Sequence, residues 1–409
     1  MAITYLRSSK IKNKTVVMRV DINTPLSDAG QVSDDFRIRA ILPTIAYLRE
    51  RGCTVILCGH LGRPDGAWVK KYSLLPVAKK LAELLSVPLQ EGKSISGEQA
   101  LKKLFFFTGD ITQEAERETL TALPLGSLVL LENIRFYPEE EANDTKFARM
   151  LASLGEAYVN EAFAVDHRRA ASITGIPKYA AASFAGLLLE QEIKGLQKLL
   201  HRPKSPFVVM MGGAKISDKA KTLQNLGQRA DTILVGGGLA NLFFAARGYE
   251  IGKSKAESEA VKLAWQMDKN FKGKLVLPVD VVVANAKLEK SSIRTCAPHE
   301  VKKSELILDA GPKTILAFAK VLKQAKTVIW NGPLGFFEHP PFHHATMALA
   351  RVVGGVGTGR AFAVVGGGET VDAVRQAGQA SYVDHVSTGG GALLEYLAGK
   401  ELPGIRALE

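Results

Sequence analysis

The chain has few cysteines, no long apolar run and no cluster of basic residues, and each absence excludes a class of protein. Three cysteines, Cys53, Cys58 and Cys296, fit neither a disulfide framework nor a metal cluster. No run approaches the roughly 20 apolar residues that cross a bilayer. The N-terminal segment MAITYLRSSKIKNKT lacks the apolar core of a secretory signal. We therefore expect a soluble protein of the reducing cytoplasm that makes no membrane contact.

Positive charge is what the sequence has in excess. Its 409 residues include 53 Lys and Arg against 41 Asp and Glu, a formal net charge of +12. A solvated basic surface explains this excess, and so does a surface that faces polyanionic small molecules. The basic residues are dispersed, with no helix-turn-helix pattern and no aromatic RNA-binding signature, so nucleic acid is the weakest explanation and is not expected as a partner.

Length and hydrophobic pattern predict two α/β domains. The chain is too long for one ordinary core. Short apolar runs alternate with segments such as 37–51 and 71–85, whose apolar residues recur every three or four positions. Continuous hydrophobicity in the short runs predicts strands buried on both faces, and therefore parallel sheets covered by helices. The predicted strands are residues 15–20, 54–58, 127–131, 206–211, 232–235, 327–330 and 361–365.

The two halves of the chain differ in the residues that follow their predicted strands. In the first half, the predicted strands are followed by arginine and histidine, as in Gly59–Arg63 and Glu132–Arg135. In the second half, the predicted strands are followed by glycine, as in Gly212-Gly213, Gly236–Gly238 and Gly366–Gly368. Ligands of open parallel sheets bind beyond the carboxyl ends of the strands. The first half is therefore predicted to bind a compact anion, and the second a larger phosphorylated ligand through backbone contacts.

A helix-forming segment, residues 184–200 (FAGLLLEQEIKGLQKLL), lies between the two halves. We interpret it as an interdomain helix, with the break near residues 178–182. This predicts a first domain of residues 1–182 and a second of residues 183–389. Spacing leaves open whether the tail, from about residue 390 to 409, closes the second domain or returns to the first.

Four arginines stand in short polar loops next to predicted strands or turns of the first half. A guanidinium suits phosphate and carboxylate because its fork makes two parallel charge-assisted hydrogen bonds. Each arginine alone is more readily explained as a solvated surface residue, whereas four in one half favour a shared anion site. Asp21 and Asn23 could orient a hydroxyl there. The arginines are Arg37, Arg63, Arg135 and Arg168, and His60 and His167 could add donors.

The first glycine loop of the second half leads from a strand into a helix. It contains Gly212, Gly213, Ala214 and Lys215, and Ser217 is predicted to cap the helix. Glycine lets a backbone approach a phosphate closely, and a helix N-terminus adds donors and a favourable dipole. Lys215 and Lys219 lie four residues apart and share a helical face if the turn begins early. The loop does not match the Walker A pattern.

Two more glycine loops of the second half follow predicted strands. These are Gly236–Gly238 and Gly366–Gly368, and the latter is followed by Glu369-Thr370. A tight strand-to-helix turn explains any one loop, whereas three loops with two lysines and an acid favour a phosphate site. Asn331 and Glu338 follow another strand, where they could bind a base and ribose hydroxyls or could equally cap the next element.

In its motifs and their order, the chain resembles the phosphoglycerate kinases over essentially its full length. The motifs of the first half are RVDINTP (19–25), DFRIR (35–39), HLGRP (60–64), LENIRF (131–136), YVNEAF (158–163) and HR (167–168). Those that follow are GGAKISDK (212–219), GGGLAN (236–241), YEIGKS (249–254), GPKT (311–314), WNGPLGFFE (330–338), GGGET (366–370), STGGG (387–391) and GKELPG (399–404).

The resemblance implies an α/β fold of two doubly wound parallel-sheet domains, joined by an interdomain helix and hinge, with the tail returning to the first domain. The first domain would bind 3-phosphoglycerate through Asp21, Asn23, Arg37, His60, Arg63, Arg135 and Arg168. The second would bind ADP or ATP through Gly213, Ala214, Lys219, Gly237, Asn331, Glu338, Gly367, Gly368, Glu369 and Thr370. The catalytic residues would be Arg37, Lys215 and Lys219, and Glu369 would hold Mg²⁺.

Three positions depart from the family's pattern. Ala170 stands where the family has a second histidine, which excludes a role for that histidine in domain closure. Gly59 replaces the usual serine before His60, and Glu369 replaces the magnesium-binding aspartate. These changes lie in predicted sites, so they bear on rate and metal geometry and leave the predicted fold unaffected.

The implied reaction is a reversible phosphoryl transfer between 1,3-bisphosphoglycerate and ADP. Its acceptor carboxylate, with a reference pKa of about 4, is ionised at neutral pH and needs no general base. Arginine, lysine and magnesium would relieve the repulsion between anions, and a hinge near residues 178–200 would place the reactants in line. We expect a monomer. Two alternatives remain open: a non-catalytic ligand-binding protein on the same fold, and a basic nucleic-acid-binding protein.

Overall fold

The computed structural model describes residues 3–95, 97–213 and 219–409. The chain divides into two compact units: Met1–Ile193 with Glu401–Glu409, and Lys194–Lys400. The division falls within a helix, after the boundary expected at residue 182. The functional domain boundaries drawn from the sequence remain a prediction.

A parallel sheet forms the centre of the first unit. Its strands are β1 Thr15–Val20, β2 Thr54–Cys58, β3 Leu89–Gly92, β4 Leu104–Phe107, β5 Leu128–Leu131, β6 Ala157–Glu161 and β7 Ser183–Ala185. Within the described residues they run in the order β3-β4-β5-β2-β1-β6-β7, and each neighbouring pair is parallel. β2, β3, β4 and β5 lie on one side of β1, and β6 and β7 lie on the other. This reversal at the centre makes the sheet doubly wound.

Helices cover the first sheet because its strands are apolar on both faces. Val16 and Met18 of β1 pack with Ile41 in the main core cluster, and Val17, on the opposite face of β1, is equally buried. The helices of this part of the chain are α1 Phe36–Arg49, α2 Leu75–Leu85, α3 Gly97–Lys102, α4 Glu114–Thr121, α5 Pro138–Glu141, α6 Thr145–Ser153 and α7 Leu187–His201. The last of these contains the division between the two units.

The second unit contains a second parallel sheet and a small antiparallel one. The strands are β8 Phe207–Met211, β9 Thr232–Val235, β10 Leu275–Val276, β11 Val281–Asn285, β12 Arg294–Cys296, β13 Glu305–Ala310, β14 Thr327–Asn331, β15 Phe362–Gly366 and β16 His385–Ser387. In the described part of the chain the parallel sheet has the order β10-β9-β8-β14-β15-β16, and β12-β11-β13 form the antiparallel sheet. The winding of the parallel sheet reverses between β8 and β14.

The second sheet is also flanked by helices. They are α8 Ala220–Arg229, α9 Gly237–Ala246, α10 Ser258–Asn270, α11 Pro312–Gln324, α12 His344–Gly357, α13 Gly368–Gln376 and α14 Gly390–Leu397. A last short helix, α15 Pro403–Arg406, belongs to the first unit, where the N–H of Gly404 donates to the carbonyl of Asp166 at 2.8 Å. Among the described helices, none combines the length and apolar character that a membrane span requires.

The structure confirms the predicted fold class of two parallel-sheet α/β units. Each of the seven predicted strands is present with its ends shifted by at most one residue, and the predicted helix at 184–200 is α7. The antiparallel sheet of β11, β12 and β13 was not predicted.

Candidate active site

Cationic side chains gather beyond the carboxyl edge of the first sheet. His60 directly follows the β2 region, Arg37 is in the first turn of α1, Arg135 is in the turn after β5, and Arg168 is in the loop after β6. Burial, and then the charges of Arg19 and of these three arginines, hold the pKa of His60 well below its usual value. The electrostatic environment of His60 is therefore positive, which opposes protonation of its imidazole.

Arg19 determines the state of His60. Arg19 is buried in β1, and its Nη2 lies 3.3 Å from His60 Nδ1. Its Nε donates to Ser172 Oγ at 2.7 Å, and Glu140 lies 4.0 Å from the guanidinium. Because a guanidinium can only donate, His60 Nδ1 must accept, and the imidazole proton lies on Nε2. His60 is consequently a neutral donor rather than a cation.

Asp21 and Asn23 organise the loops that follow β1 and β2. The buried carboxylate of Asp21 accepts from Arg37 Nη1 and, at 3.2 Å, from the N–H of Asn23. Asn23 Oδ1 accepts from the N–H of Gly62 at 2.9 Å. Asp21 thus positions Arg37, and Asn23 holds the loop of His60. Arg63 in that loop is exposed and makes no ion pair or side-chain hydrogen bond with any described residue.

Arg135 and Arg168 share a cavity of about 320 Å³ in the first unit. Arg135 is 6% exposed, and its Nη1 donates to the carbonyl of Gly62 at 2.8 Å. Burial, followed by repulsion from Arg19 and Arg168, lowers the pKa of Arg135 to about 10, so it remains charged at neutral pH. The concentration of positive charge favours an anionic ligand. The cavity is lined by Arg19, Arg135, Glu140, Glu141, Val165, Arg168, Arg169, Ala170 and Ile173.

A cavity of about 440 Å³ opens beyond the carboxyl edge of the second sheet. Of the residues predicted from the sequence, Gly213, Gly237, Glu338 and Glu369 line it. Both glutamates are exposed, and neither makes an ion pair or side-chain hydrogen bond within the described part of the chain. The remaining lining residues are Gly238, Ala240, Asn241, Phe244, Lys255, Pro278, Val281, Ile307, Leu308, Asp309, Ala310, Pro333, Leu334, Gly335 and Phe336.

Glycine is required where the helices of this edge begin. Gly237, the first residue of α9, has φ +59°, and a Cβ there would lie 2.6 Å from the carbonyl oxygen of Pro333. Gly367, which precedes α13, has φ +94°, and a Cβ would lie 2.8 Å from Asn331 Nδ2. Both positions leave the first N–H groups of a helix uncovered by side chains, which suits a phosphate ligand.

Three predicted nucleotide ligands contact the backbone at the strand ends. Asn331 Nδ2 donates to the last carbonyl of β15 at 2.8 Å, and Thr370 Oγ1 accepts from the N–H after β14 at 2.6 Å. Both side chains are buried, and neither lines the cavity. Asn331 links the ends of β14 and β15, and Thr370 links the end of β14 to α13. The ammonium of Lys219 donates to the carbonyl that follows β8. Gly368, the first residue of α13, is exposed.

Two of the predicted site residues, Ala214 and Lys215, lie outside the described residues, as does the predicted helix cap Ser217. The structure also places three residues at the sites that were not predicted from the sequence. Arg19 and Asn241 occur in the motifs RVDINTP and GGGLAN, where the signal available was a polar residue within an apolar stretch. Asp309 was the third, and its buried carboxylate accepts from the N–H groups of Ala310 and Ala345 at 2.9 and 3.1 Å.

Comparison with known proteins decides the family. A family model described as phosphoglycerate kinase matches residues 6–400. The chain belongs to the phosphoglycerate kinase family. Membership makes it a kinase, and these comparisons give no support to a non-catalytic protein on the same fold.

Relatives and solved structures of phosphoglycerate kinases match along the whole chain. Phosphoglycerate kinase from Moorella thermoacetica is 45% identical, and that from Pelotomaculum thermopropionicum is 43% identical, each over 411 residues that cover 100% of this chain and 99% of the relative. The structure of phosphoglycerate kinase from Coxiella burnetii matches with a TM-score of 0.81 and 36% identity, covering 100% of this chain and 99% of the other. That from Pyrococcus horikoshii gives 0.84 and 31%, with coverages of 99% and 98%.

Proposed function

We propose that the chain catalyses the reversible transfer of a phosphoryl group from 1,3-bisphosphoglycerate to ADP, giving 3-phosphoglycerate and ATP in glycolysis and gluconeogenesis. The observation that carries this proposal is the match to one kinase family over residues 6–400. The chemistry of the two strand edges supports it, because one presents cations and the other presents glycine backbone around a cavity.

In this proposal the first unit binds the phosphoglycerate. Arg37, Arg63, Arg135 and Arg168 supply positive charge and paired donors for its phosphate and carboxylate. His60 donates from Nε2 as a neutral group, and Asp21 and Asn23 orient the loops around the ligand. The cationic cavity that Arg135 and Arg168 share supports this assignment.

The second unit binds the nucleotide in the same proposal. Glu338 has a free carboxylate on the cavity and accepts from ribose hydroxyls. The N-termini of α9 and α13 supply backbone donors for the phosphates. Lys219, together with Lys215 and Arg37, stabilises the charge of the phosphoryl group as it moves. Asn331 and Thr370 act by holding the strand ends on which these groups stand.

Glu369 is proposed to hold the magnesium ion that accompanies the nucleotide. Its carboxylate lines the cavity and has no partner among the described residues. Magnesium is usually held by one or two carboxylates together with substrate phosphates and water. The described residues contain no group of three or more acidic, histidine or cysteine side chains able to form a complete protein site. One free carboxylate therefore fits a nucleotide-borne ion, which would neutralise phosphate charge during transfer.

The reaction requires the protein to stabilise negative charge and to place the two substrates correctly, and it requires little else. The acceptor carboxylate is already ionised, so none of the residues is needed as a general base. The two substrates must meet in line with water excluded. The hinge expected near residues 178–200 is part of this proposal.

A coupled assay of ATP formation from 1,3-bisphosphoglycerate and ADP tests the proposal directly. We expect magnesium-dependent turnover that stops when either substrate is omitted. Binding of both ligands without turnover would instead favour the non-catalytic alternative.

A monomeric state, a cytoplasmic location and the absence of a nucleic-acid partner are also proposed. Light scattering after gel filtration tests the first, and cell fractionation tests the second. Binding to DNA or RNA with a steep salt dependence at physiological ionic strength would contradict the third.

A further inference from the structure

The fold gathers basic side chains at the amino edge of the second parallel sheet, the edge opposite the candidate nucleotide cavity. A separate cavity of about 920 Å³ lies at this amino edge. All of its lining residues belong to the second unit. One acid, Asp384, lines it against five cations that are far apart in the sequence: Lys198, Arg202, Lys204, Lys326 and Arg360.

Three of these cations stand just before three neighbouring strands. Strand β14 lies between β8 and β15, and its first residue is in register with the first residues of both. Lys204, Lys326 and Arg360 precede β8, β14 and β15 by one to three residues. Since neighbouring strands are about 4.8 Å apart, the three cations extend from positions spread over roughly 10 Å of one sheet edge.

Hydrogen bonds fix the backbone from which these cations extend. Thr327 Oγ1 donates to the carbonyl of Lys204 at 2.8 Å. The N–H of Lys326 donates to the carbonyl of Pro206 at 2.8 Å, and the carbonyl of Lys326 accepts from the N–H of Phe362 at 2.9 Å. A ligand that contacts all three cations therefore binds to a backbone that is already ordered, which lowers the entropic cost of binding.

The positive charge of this cavity is not compensated within the protein. None of its five cations makes an ion pair or a side-chain hydrogen bond with any described residue. Lys198 Nζ lies over the ring of Phe362, 4.8 Å from its centre. The acid Asp384 already accepts from the N–H of Ala363 at 2.8 Å.

A second cavity extends the same surface. It has about 420 Å³ and shares Arg360 with the first. Lys323 and Arg351 also line it, and no acid does among the described residues. We call the lining of the two cavities the amino-edge basic surface. Its seven cations and one acid give a formal charge of +6 in a chain whose total is +12. Like charges concentrated in this way repel one another and attract a multivalent anion.

The composition of the amino-edge basic surface favours one kind of polyanion. Single-stranded nucleic acid is bound by aromatic stacking as well as by charge. Phe362 is the only aromatic residue of the described lining, and Lys198 lies over its ring. A single phosphate reaches few of the cations, whereas a chain of phosphates contacts cations that are spread along a sheet edge. A linear inorganic polyphosphate, which has a charge on every phosphate and no base to stack, therefore matches the surface.

We propose that the amino-edge basic surface binds linear inorganic polyphosphate. The inference goes beyond the proposed function and does not rest on it, because the groups proposed for phosphoryl transfer lie at the carboxyl edges. Strand β14, whose five residues extend over roughly 16 Å, separates the two edges of the second sheet. The surface can therefore hold its ligand while the carboxyl edge is occupied.

The unmodified protein provides the first test. Titration calorimetry measures binding of a long-chain sodium polyphosphate, with saturating ADP and 3-phosphoglycerate present to occupy the carboxyl edges. We expect binding that weakens steeply as the salt concentration rises, because several counterions are released. Orthophosphate at the same total phosphate concentration should bind far more weakly. An absence of polyphosphate binding, or equal binding of orthophosphate, would overturn the inference.

A triple variant that replaces the three strand-edge cations provides the second test. Lys204→Gln, Lys326→Gln and Arg360→Gln together remove three charges from exposed positions. We expect polyphosphate affinity to fall roughly 5- to 100-fold, the effect of losing three surface ion pairs. Turnover and the affinities for ADP and 3-phosphoglycerate should stay close to wild type, which also shows that the variant is folded.

A matched control removes the same charge elsewhere on the second unit. Lys272→Gln, Lys287→Gln and Lys303→Gln together alter exposed lysines that line neither cavity, and polyphosphate affinity should change little. Equal weakening by the two triple variants would show that net charge alone attracts the ligand, and would refute the site. Tighter binding of a uridine oligonucleotide or of anionic lipid vesicles, lost in the first variant, would also contradict the proposed ligand. Failure of the proposed function is distinct, because it would abolish turnover and leave the polyphosphate titration unaffected.

Discussion

The two parallel sheets carry different chemistry at their carboxyl edges, although both are wound in both directions from a central strand. At the first edge the charge is on side chains, with Arg19, Arg135 and Arg168 around one cavity and the acids Glu140 and Glu141 beside them. At the second edge glycine backbone begins the helices, and side chains shape an apolar cavity. Converging side-chain cations suit a compact, highly charged ligand, whereas backbone donors around a cavity suit a ligand with a large neutral part.

The largest effect is expected from Lys219→Met, which tests whether the second edge contributes to catalysis as well as binding. Its ammonium lies at the end of β8, where a cation would stabilise the transferring phosphoryl group more than the bound substrate. We expect kcat to fall by about 10²- to 10³-fold with small changes in KM. Steady-state kinetics checks this, with the exposed Lys221→Met as control. A raised KM with kcat intact would assign Lys219 to binding alone.

Arg168→Ala tests the division of ligands between the two edges. Losing one charge-assisted pair should cost roughly 1.5–3 kcal/mol, so affinity for 3-phosphoglycerate should fall about 10- to 100-fold while affinity for ADP stays nearly unchanged. Titration calorimetry measures both affinities, and Arg49→Ala, on α1 away from the cavity lining, is the control. Equal weakening of both ligands would contradict the two-site layout.

Glu369 variants test the contrast between the two edges further. Glu369 is an acidic side chain at the second edge, where glycine backbone begins the helices. Removing the charge in Glu369→Gln should lower turnover by roughly tenfold through weaker metal binding. Glu369→Asp keeps the charge on a shorter side chain, so we expect it to shift the preference between magnesium and manganese more than the phosphoglycerate affinity. Turnover of the three proteins across both metal concentrations is the measurement. A Gln variant equal to wild type throughout would remove Glu369 from the metal site.

The smallest effect is a pH dependence of stability that originates beneath the second edge. Burial raises the pKa of Asp309 to about 7, whereas an unfolded chain has a value of about 4. Between these values the folded state holds a proton that the unfolded state has released. The contribution of Asp309 to the free energy of unfolding should therefore decrease as pH rises from about 4 to 7, by at most about 1.4 kcal/mol per pH unit, and then level off. Glu161 and Asp166 of the first unit, whose pKa values burial also raises to about 7, add slopes of the same sign.

Asp309→Asn should reduce the total slope by the contribution of this one group, and Asp372→Asn on α13 is the control. Urea unfolding followed by tryptophan fluorescence, to which Trp330, buried in β14 of the same unit, contributes, measures the slope at each pH. A slope that is the same in Asp309→Asn and wild type would show that other groups cause it.

The seven strands predicted from the sequence are almost continuously apolar, as expected for strands buried on both faces, but β4 (LFFF), which is equally apolar and buried, was not predicted. The sequence pattern also missed β6 (AYVNE), whose five residues are all buried although two are polar. Glu161 of this strand accepts from the N–H groups of Leu188 and Leu189 at the start of α7, a pairing that only the tertiary structure provides. The pattern also missed the antiparallel sheet, in which residues of β11 are only partly buried.

The candidate site was predicted as far as residue type and motif position determine it. Motifs indicated which side chains stand at strand ends, but they do not show which ones bond within the protein. Asn331 and Thr370 bond to the backbone at the strand ends, whereas Glu338 and Glu369 remain available on the cavity. Asn241 escaped notice because an unpaired buried amide can be recognised only when its surroundings are known.

The contact between Arg19 and His60 keeps the charge of the first edge constant as the cell's acidity changes. His60 is neutral because its Nδ1 faces a guanidinium and burial holds its pKa well below the usual value, and Arg135, with a pKa of about 10, remains protonated at neutral pH. A phosphate monoester, by contrast, loses its second proton near pH 6. Any pH dependence of phosphoglycerate affinity between about pH 6 and 8 would then originate in the ligand. The positive charge of the protein would stay constant over this range and would favour the dianionic form of the ligand's phosphate.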